Sequence, residues 1–232
     1  MKAKDRIFCA IDTTNLNFAL SLGKSLKGLV GGLKIGKEFF TANGPTGVKQ
    51  INALGMPVFL DLKFHDIPNT VAGAIKATQQ IGCFMTTIHA SGGGAMISAA
   101  ANAKQGKMPM ILAVTVLTSL GEHELESIGI HDSLEQQVIN LAKLARVNGA
   151  DGIVASSHEI PRLRAELGKE CFLVVPGIRP SWAATNDQKR TMTPAQAVTA
   201  GADFLVIGRP ITQAKVPAEA AIRIAEEIGT SS

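Results

Sequence analysis

One rhythm constrains this chain more than any other feature. Short apolar runs recur along its whole length, and each is followed by a longer helical pattern. The runs are Ile7–Asp12, Gly31–Gly36, Pro57–Phe64, Phe84–Ala90, Met110–Leu117, Gly152–Ser156, Cys171–Ile178 and Phe204–Gly208, eight in all. Each has the length of a buried strand, about 4–8 residues, and is too short for a helix. Amphipathic stretches such as Leu16–Leu29, Lys37–Leu54, Val71–Ile81 and Leu134–Asn148 lie between them. Gly82, Gly149, Gly168 and Gly201 stand just beyond helical segments, where a left-handed cap is expected. Eight strand–helix units without a break in composition predict an α/β chain folded as a single (β/α)₈ TIM barrel over residues 1–232. The competing architecture is a doubly wound open sheet. It calls for a glycine-rich turn after the first strand, where Asp12-Thr13-Thr14-Asn15 stands instead. Gly92-Gly93-Gly94, after the fourth strand, lacks the spacing of a dinucleotide loop and reads as a loop into a helix.

Length and composition agree with that architecture. The chain has 232 residues, and α/β barrels commonly run to about 250 as one domain. Hydrophobic residues make up 46% and charged residues 18%, which excludes disorder and coiled coil. The formal net charge of +4 is spread along the chain without a basic run. This speaks against nucleic acid and for a small anionic ligand. Cys9, Cys83 and Cys171 are far apart and odd in number, so they read as core residues and not as a disulfide framework or zinc site. Residues 1–6 lead into about six apolar residues, too few for a signal peptide. No apolar run approaches the roughly 18 residues of a membrane span. The expectation is a soluble, cytoplasmic protein with no membrane or nucleic-acid partner.

Strand parity then locates the polar residues, because side chains alternate between faces. In the third run Val58, Leu60, Leu62 and Phe64 share a face suited to packing under helices, and Asp61 and Lys63 share the lumenal one. In the first run Ile7, Cys9 and Ile11 point outward and Asp12 ends the inward set. In the second, Leu33 and Ile35 point outward and Lys34 inward. Asp12, Lys34, Asp61 and Lys63 are thus expected at the C-terminal end of the strands, where barrel active sites lie. An ion pair plugging the barrel mouth accounts for any one of them. Four charges from three consecutive strands call for a function, because burying charge is costly.

Asp61-Leu62-Lys63-Phe64-His65-Asp66 adds another carboxylate three residues beyond Lys63. Carboxylates beside ammonium groups favour the charged forms. That argues against Schiff-base chemistry, which needs a neutral amine, and for a lysine that donates a proton. His65 is an acid or base by type, but its parity with Asp61 holds only if the strand extends that far, so it reads as a rim residue. Pro176-Gly177-Ile178-Arg179-Pro180 and Ile207-Gly208-Arg209-Pro210 end the last two strands. Loops at these places commonly bind phosphate, through backbone N–H groups freed by glycine and a forked guanidinium. The alternative is surface arginines beside turn glycines. Ser181 to Thr193 is a long polar connection that reads as a lid carrying Trp182 and Gln188. Thr118 and Ser119 either offer hydrogen bonds at the same face or cap a short helix over Glu122–Ile128.

The run Asp61-Leu62-Lys63-Phe64-His65-Asp66-Ile67-Pro68-Asn69-Thr70 resembles the active-site motif of the bacterial orotidine 5′-phosphate decarboxylases. The resemblance covers the whole chain, including Ala10-Ile11-Asp12, Leu33-Lys34-Ile35-Gly36, Pro176-Gly177-Ile178-Arg179 and Ile207-Gly208-Arg209-Pro210-Ile211. It implies cofactor-independent and metal-free decarboxylation of orotidine 5′-monophosphate to UMP, the last step of de novo pyrimidine nucleotide synthesis. It implies Lys63 as proton donor to C6, Asp61 beside the departing carboxylate, and Lys34 holding Asp61 and reaching the ribose. Asp12 would bind ribose hydroxyls, Thr118 and Ser119 the pyrimidine, and Arg179, Gly208 and Arg209 the phosphate, with Gln188 bridging phosphate and base. Asp66, Ile67 and Thr70 would enter the neighbouring subunit's site, which implies a homodimer with shared sites. One rival on the same barrel is a Mg²⁺-dependent keto-sugar phosphate decarboxylase. It needs a further carboxylate near the second strand, where Lys34 points inward and Glu38 falls in the next helix. Another rival is a nucleotide-binding protein without catalysis, which leaves the Lys-Asp-Lys-Asp set unexplained.

Overall fold

The computed structural model describes residues 1–183 and 192–229. Eight parallel strands close into a barrel in sequence order. The chain runs β1 (Ile7–Ile11), α1 (Leu16–Leu26), β2 (Gly32–Gly36), α2 (Lys37–Asn52), β3 (Val58–Phe64), α3 (Pro68–Ile81), β4 (Met85–His89) and α4 (Gly94–Ala103). It continues through β5 (Met110–Val114), α5 (Glu122–Ser127), α6 (Leu134–Val147), β6 (Gly152–Val154), α7 (Ile160–Leu167), β7 (Phe172–Pro176), α8 (Pro194–Ala200), β8 (Phe204–Ile207), α9 (Arg209–Thr212) and α10 (Pro217–Gly229). Each strand lies inside one of the eight apolar runs, and β1 pairs with β8 to close the ring. The open-sheet alternative is thereby excluded. No helix among the described residues is long and apolar enough to cross a membrane.

Parity separates two cores. Ile7, Cys9, Ile11, Leu33, Ile35, Val58 and Leu60 join the helices in one large apolar layer. Phe8, Phe59, Met85, Met110, Leu112, Val174 and Phe204 point inward and fill the barrel. Phe8 stands at the centre of this plug, edge-on to Phe204 with ring centroids 5.5 Å apart and edge-on to Phe59 at 6.2 Å, both favourable aromatic geometries. The lumen is thus packed with hydrocarbon toward the N-terminal end, and side chains further along the strands must emerge at the opposite mouth. All three cysteines are buried and free. Burial pushes the Cys9 and Cys83 thiols up to about 12, so they are inert packing groups.

The helix terminators Gly82, Gly149, Gly168 and Gly201 all have positive φ. Two helices differ from the pattern. The stretch from Lys37 is broken at Gly44, whose φ of 60° and ψ of −167° are not helical. Pro45 explains it, since proline disfavours helical geometry in the residue before it. Helix α3 starts at Pro68, earlier than its apolar periodicity suggests, because proline is well accommodated in a first turn where the N–H has no helical partner.

Candidate active site

The inward residues expected at the barrel mouth are there, arranged as two ion pairs. Lys34 of β2 is buried, and its Nζ donates to Asp12 Oδ1 at 3.0 Å. Gly36 makes room for this pair: a Cβ there would come within 3.1 Å of the Asp12 carboxylate and 3.3 Å of the Lys34 ammonium. On β3 the Lys63 ammonium donates to both carboxylate oxygens of Asp61 at 2.9 Å. Lys34 reaches Asp12 and not Asp61, which departs from the arrangement implied by the resemblance. Asp61 Oδ1 also accepts the Thr87 hydroxyl at 2.9 Å, so its oxygens are already engaged by Lys63 and Thr87. Lys34 lies opposite Ala10, two residues short of Asp12 on the neighbouring strand.

The end of β3 is irregular, which strand alternation does not foresee. Leu60 pairs with Thr86, but Phe64 pairs with Ile88, so the register slips between them. Lys63 sits in this bulge with a φ of 54°, the one described non-glycine residue at positive φ. Bulges re-aim side chains and gather next to active sites. Here the bulge leaves both Asp61 and Lys63 on the mouth of the barrel.

Beyond the bulge the chain turns outward. His65, Asp66, Ile67 and Thr70 are exposed. Asp66 Oδ1 accepts the N–H of Ile67 at 2.7 Å, and no ion pair joins Asp66 to Lys63 among the described residues. The second carboxylate of the motif therefore does not sit beside the two lysines of its own chain. Its sequence distance from Lys63 is short, but the strand has ended and the backbone is turning into α3. His65 stacks obliquely on His89 of β4, with ring centroids 5.4 Å apart. Burial first, then the His65 ring and the Lys63 and Lys37 ammoniums, lower the pKa of the His89 imidazole against the opposing pull of Asp61.

Arg179 and Arg209 leave adjacent strands in register. Pro176 pairs with Val206, and each arginine stands three residues further on. Arg179 is buried, and its N–H donates to the Met192 carbonyl at 3.0 Å. Arg209 opens α9 directly after Gly208. Two guanidinium-bearing turns side by side form a cationic rim suited to an anion. Thr118 and Ser119 are exposed after β5. They do not cap α5, because that role falls to Gly121, whose N–H donates to Glu124 at 2.8 Å. With Pro176 and Gly177 they line a cavity of about 710 Å³. It opens on the same mouth, but its walls do not include the two ion pairs. Trp182 packs against the apolar layer with the Arg223 guanidinium 4.6 Å above its ring. Gln188 lies outside the described residues.

Thr87 is the site residue that sequence reasoning missed. Its signal was a threonine at inward parity on β4, next to the strand carrying Asp61, with Thr86 beside it at outward parity. Among the described residues no group of three or more His, Cys, Asp and Glu side chains is gathered as a metal-ligand set.

Comparison with known proteins agrees over nearly the full length. Residues 5–224 match the Orotidine 5′-phosphate decarboxylase / HUMPS family. The chain is 53% identical over 230 residues to the orotidine 5′-phosphate decarboxylase of Paramagnetospirillum magneticum, covering 96% of this chain and 98% of that one. It is 50% identical over 230 residues to the namesake protein of Rhodospirillum rubrum, with 96% and 93% covered. The crystal structure of orotidine 5′-phosphate decarboxylase from Lactobacillus acidophilus superposes with a TM-score of 0.84 at 35% identity, covering 96% of this chain and 98% of that one.

Proposed function

The chain belongs to the Orotidine 5′-phosphate decarboxylase / HUMPS family, and from that membership we propose that it decarboxylates orotidine 5′-monophosphate to UMP and CO₂ without metal or organic cofactor. The observation that carries this reading is the Asp61–Lys63 pair, an ammonium chelated at 2.9 Å by both oxygens of a carboxylate at the mouth of the barrel. Breaking the bond from C6 to the carboxylate leaves its electron pair on C6 and releases CO₂. The pyrimidine offers that pair no conjugated sink, so fixed charge must stabilise it. Lys63 supplies the charge and then the proton, which passes from Nζ to C6 to give UMP. The neutral amine regains a proton from water. Asp61 aims the ammonium and sets negative charge beside the departing carboxylate.

In this reading Asp12 and Lys34 take the ribose hydroxyls, Thr118 and Ser119 the pyrimidine, and Arg179, Gly208 and Arg209 the phosphate, with Gln188 bridging phosphate and base. Grip on the remote phosphate provides binding energy that is used at the reacting carbon. Asp66, Ile67 and Thr70 serve the site of a second subunit in a homodimer. What supports this is their exposure on their own chain, 67% for the apolar Ile67. The compartment is the cytoplasm, where charged nucleotides are retained.

The test is the ultraviolet absorbance of orotidine 5′-monophosphate with purified protein and excess EDTA. Loss of the orotate chromophore with UMP as product is expected. An unchanged spectrum overturns the reading. Turnover that EDTA abolishes points to a metal-dependent relative, and binding of the nucleotide without turnover to a non-catalytic protein.

A further inference from the structure

The bulge at Lys63 poses a hydrogen-bonding problem that one side chain on β4 solves. Between the paired positions Leu60–Thr86 and Phe64–Ile88, three β3 residues face a single β4 residue, Thr87. The regular ladder cannot serve the Lys63 N–H there. That N–H instead donates to Thr87 Oγ1 at 2.9 Å. The same hydroxyl donates its proton to Asp61 Oδ1 at 2.9 Å. A hydroxyl has one proton to give and lone pairs to accept with, so both bonds form at once. Thr87 is fully buried, and its β-branch restricts the side chain to few rotamers. Lys63 meanwhile holds a φ of 54°, which non-glycine residues adopt only when the surroundings enforce it.

We propose that Thr87 is a positioning residue for the Asp61–Lys63 pair. Its single hydroxyl ties the backbone of the lysine and the carboxylate of the aspartate to the same point on the neighbouring strand. Both ends of the chelated ion pair are then referenced to one buried atom. Without it the carboxylate can rotate and the bulge can shift, and the ammonium loses its alignment with the reacting carbon. The inference rests on the decarboxylase reading and adds to it a residue that neither contacts substrate nor carries charge. The adjacent Thr86 supplies an internal control. It is equally buried, but its hydroxyl donates only to the Leu60 carbonyl, at 2.9 Å, a bond with no link to the ion pair.

The experiment compares Thr87→Val, Thr87→Ser and Thr86→Val with the parent protein. It measures kcat and KM for orotidine 5′-monophosphate, Kd for UMP and the melting temperature. Thr87→Val is expected to lower kcat by about 10- to 100-fold, the scale of a small misplacement of a reacting group. KM and the UMP Kd should stay within about 3-fold, since the groups that hold the nucleotide are untouched. Thr87→Ser should recover most of the lost kcat. Thr86→Val should lower the melting temperature and leave kcat alone. A folded Thr87→Val protein with parental kcat overturns the proposal, as does a kcat loss that Thr86→Val matches. If Thr87→Val does not fold, Thr87→Ala is set against Thr87→Ser, and equal kcat values for the two overturn it. A parent protein inert toward orotidine 5′-monophosphate overturns the decarboxylase reading itself, which separates that failure from a failure of Thr87 alone.

Discussion

Asp151 and Asp203 at the N-terminal end of the barrel use the same chemistry as Asp12 and Asp61 at the C-terminal end, with a different result. Asp151 precedes β6, binds Lys104 and accepts the Ile111 N–H of β5 at 2.7 Å. Asp203 precedes β8, binds Arg164 at 2.7 Å and accepts the Leu173 N–H of β7 at 2.8 Å. Arg164 also donates to the carbonyls of Gly168, Cys171 and Gly201. Each carboxylate thus fastens its strand to the one before it, in two copies of a Gly-Ala-Asp turn, Gly149–Asp151 and Gly201–Asp203. At the opposite mouth the ammoniums of Lys34 and Lys63 each engage a single carboxylate, and the Asp12 side chain is 57% exposed. The closed set is built to hold the barrel. In the proposed function the open set keeps donors and acceptors in reserve for a substrate. This division matches the general one between the stabilising and catalytic faces of such barrels.

Three changes test the division, beginning with the largest effect. Lys63→Ala should cut turnover by about 10³-fold or more, since the proposed function makes Lys63 both the proton donor and the facing charge, while the melting curve stays close to that of the parent. Loss of the folded state would move Lys63 into the structural class and break the comparison. Asp203→Ala should do the reverse. It takes the carboxylate partner from Arg164, which keeps its three carbonyls, and strands the Leu173 N–H, at a cost of about 3 kcal/mol, or roughly 6–12 °C in melting temperature for a chain of this size. The kcat of the folded fraction should be unchanged, and a kcat that falls in step with stability would show the two ends to be coupled. The smallest effect concerns His89 beside the site. Its imidazole titrates below the ordinary value of 6.5 because burial disfavours the cation. The unfolded chain therefore binds more protons than the folded one below that value. The stability this contributes is complete above about pH 6.5 and is lost as pH falls through the imidazole range. His89→Gln should lose less melting temperature than the parent between neutral and mildly acid pH, and equal losses would show that His89 is not charged on unfolding there.

Much of both ends was readable from the chain alone, for different reasons. The eight strands, the helix-terminating glycines and the inward placement of Lys34, Asp61 and Lys63 follow from local periodicity. The arginines after β7 and β8 were visible as turns of the same kind on consecutive strands. Three features were not readable. Asp66 counts as a neighbour of Lys63 on sequence distance alone, but β3 stops at Phe64 and the backbone turns outward before Asp66. Lys34 was expected on Asp61 but bridges to Asp12, because the oxygens of Asp61 are taken by Lys63 and Thr87. Thr87 itself is one of two consecutive threonines on β4, and the sequence does not show which of them meets the ion pair.

The sequence by itself determined the number of strands, the alternating faces of their regular stretches and the end of the barrel where the charges collect. These depend on backbone geometry that repeats every two residues in a strand and every 3.6 in a helix, so neighbours along the chain suffice to set them. The tertiary structure decided which charge meets which, where β3 slips against β4, and which hydroxyl receives the Lys63 N–H. Those contacts are set by strand register around a closed ring, and register depends on how all eight strands and the Phe8-centred plug fit together. A hydrogen bond between residues 24 apart in sequence, such as Lys63 to Thr87, exists only once that fit is complete.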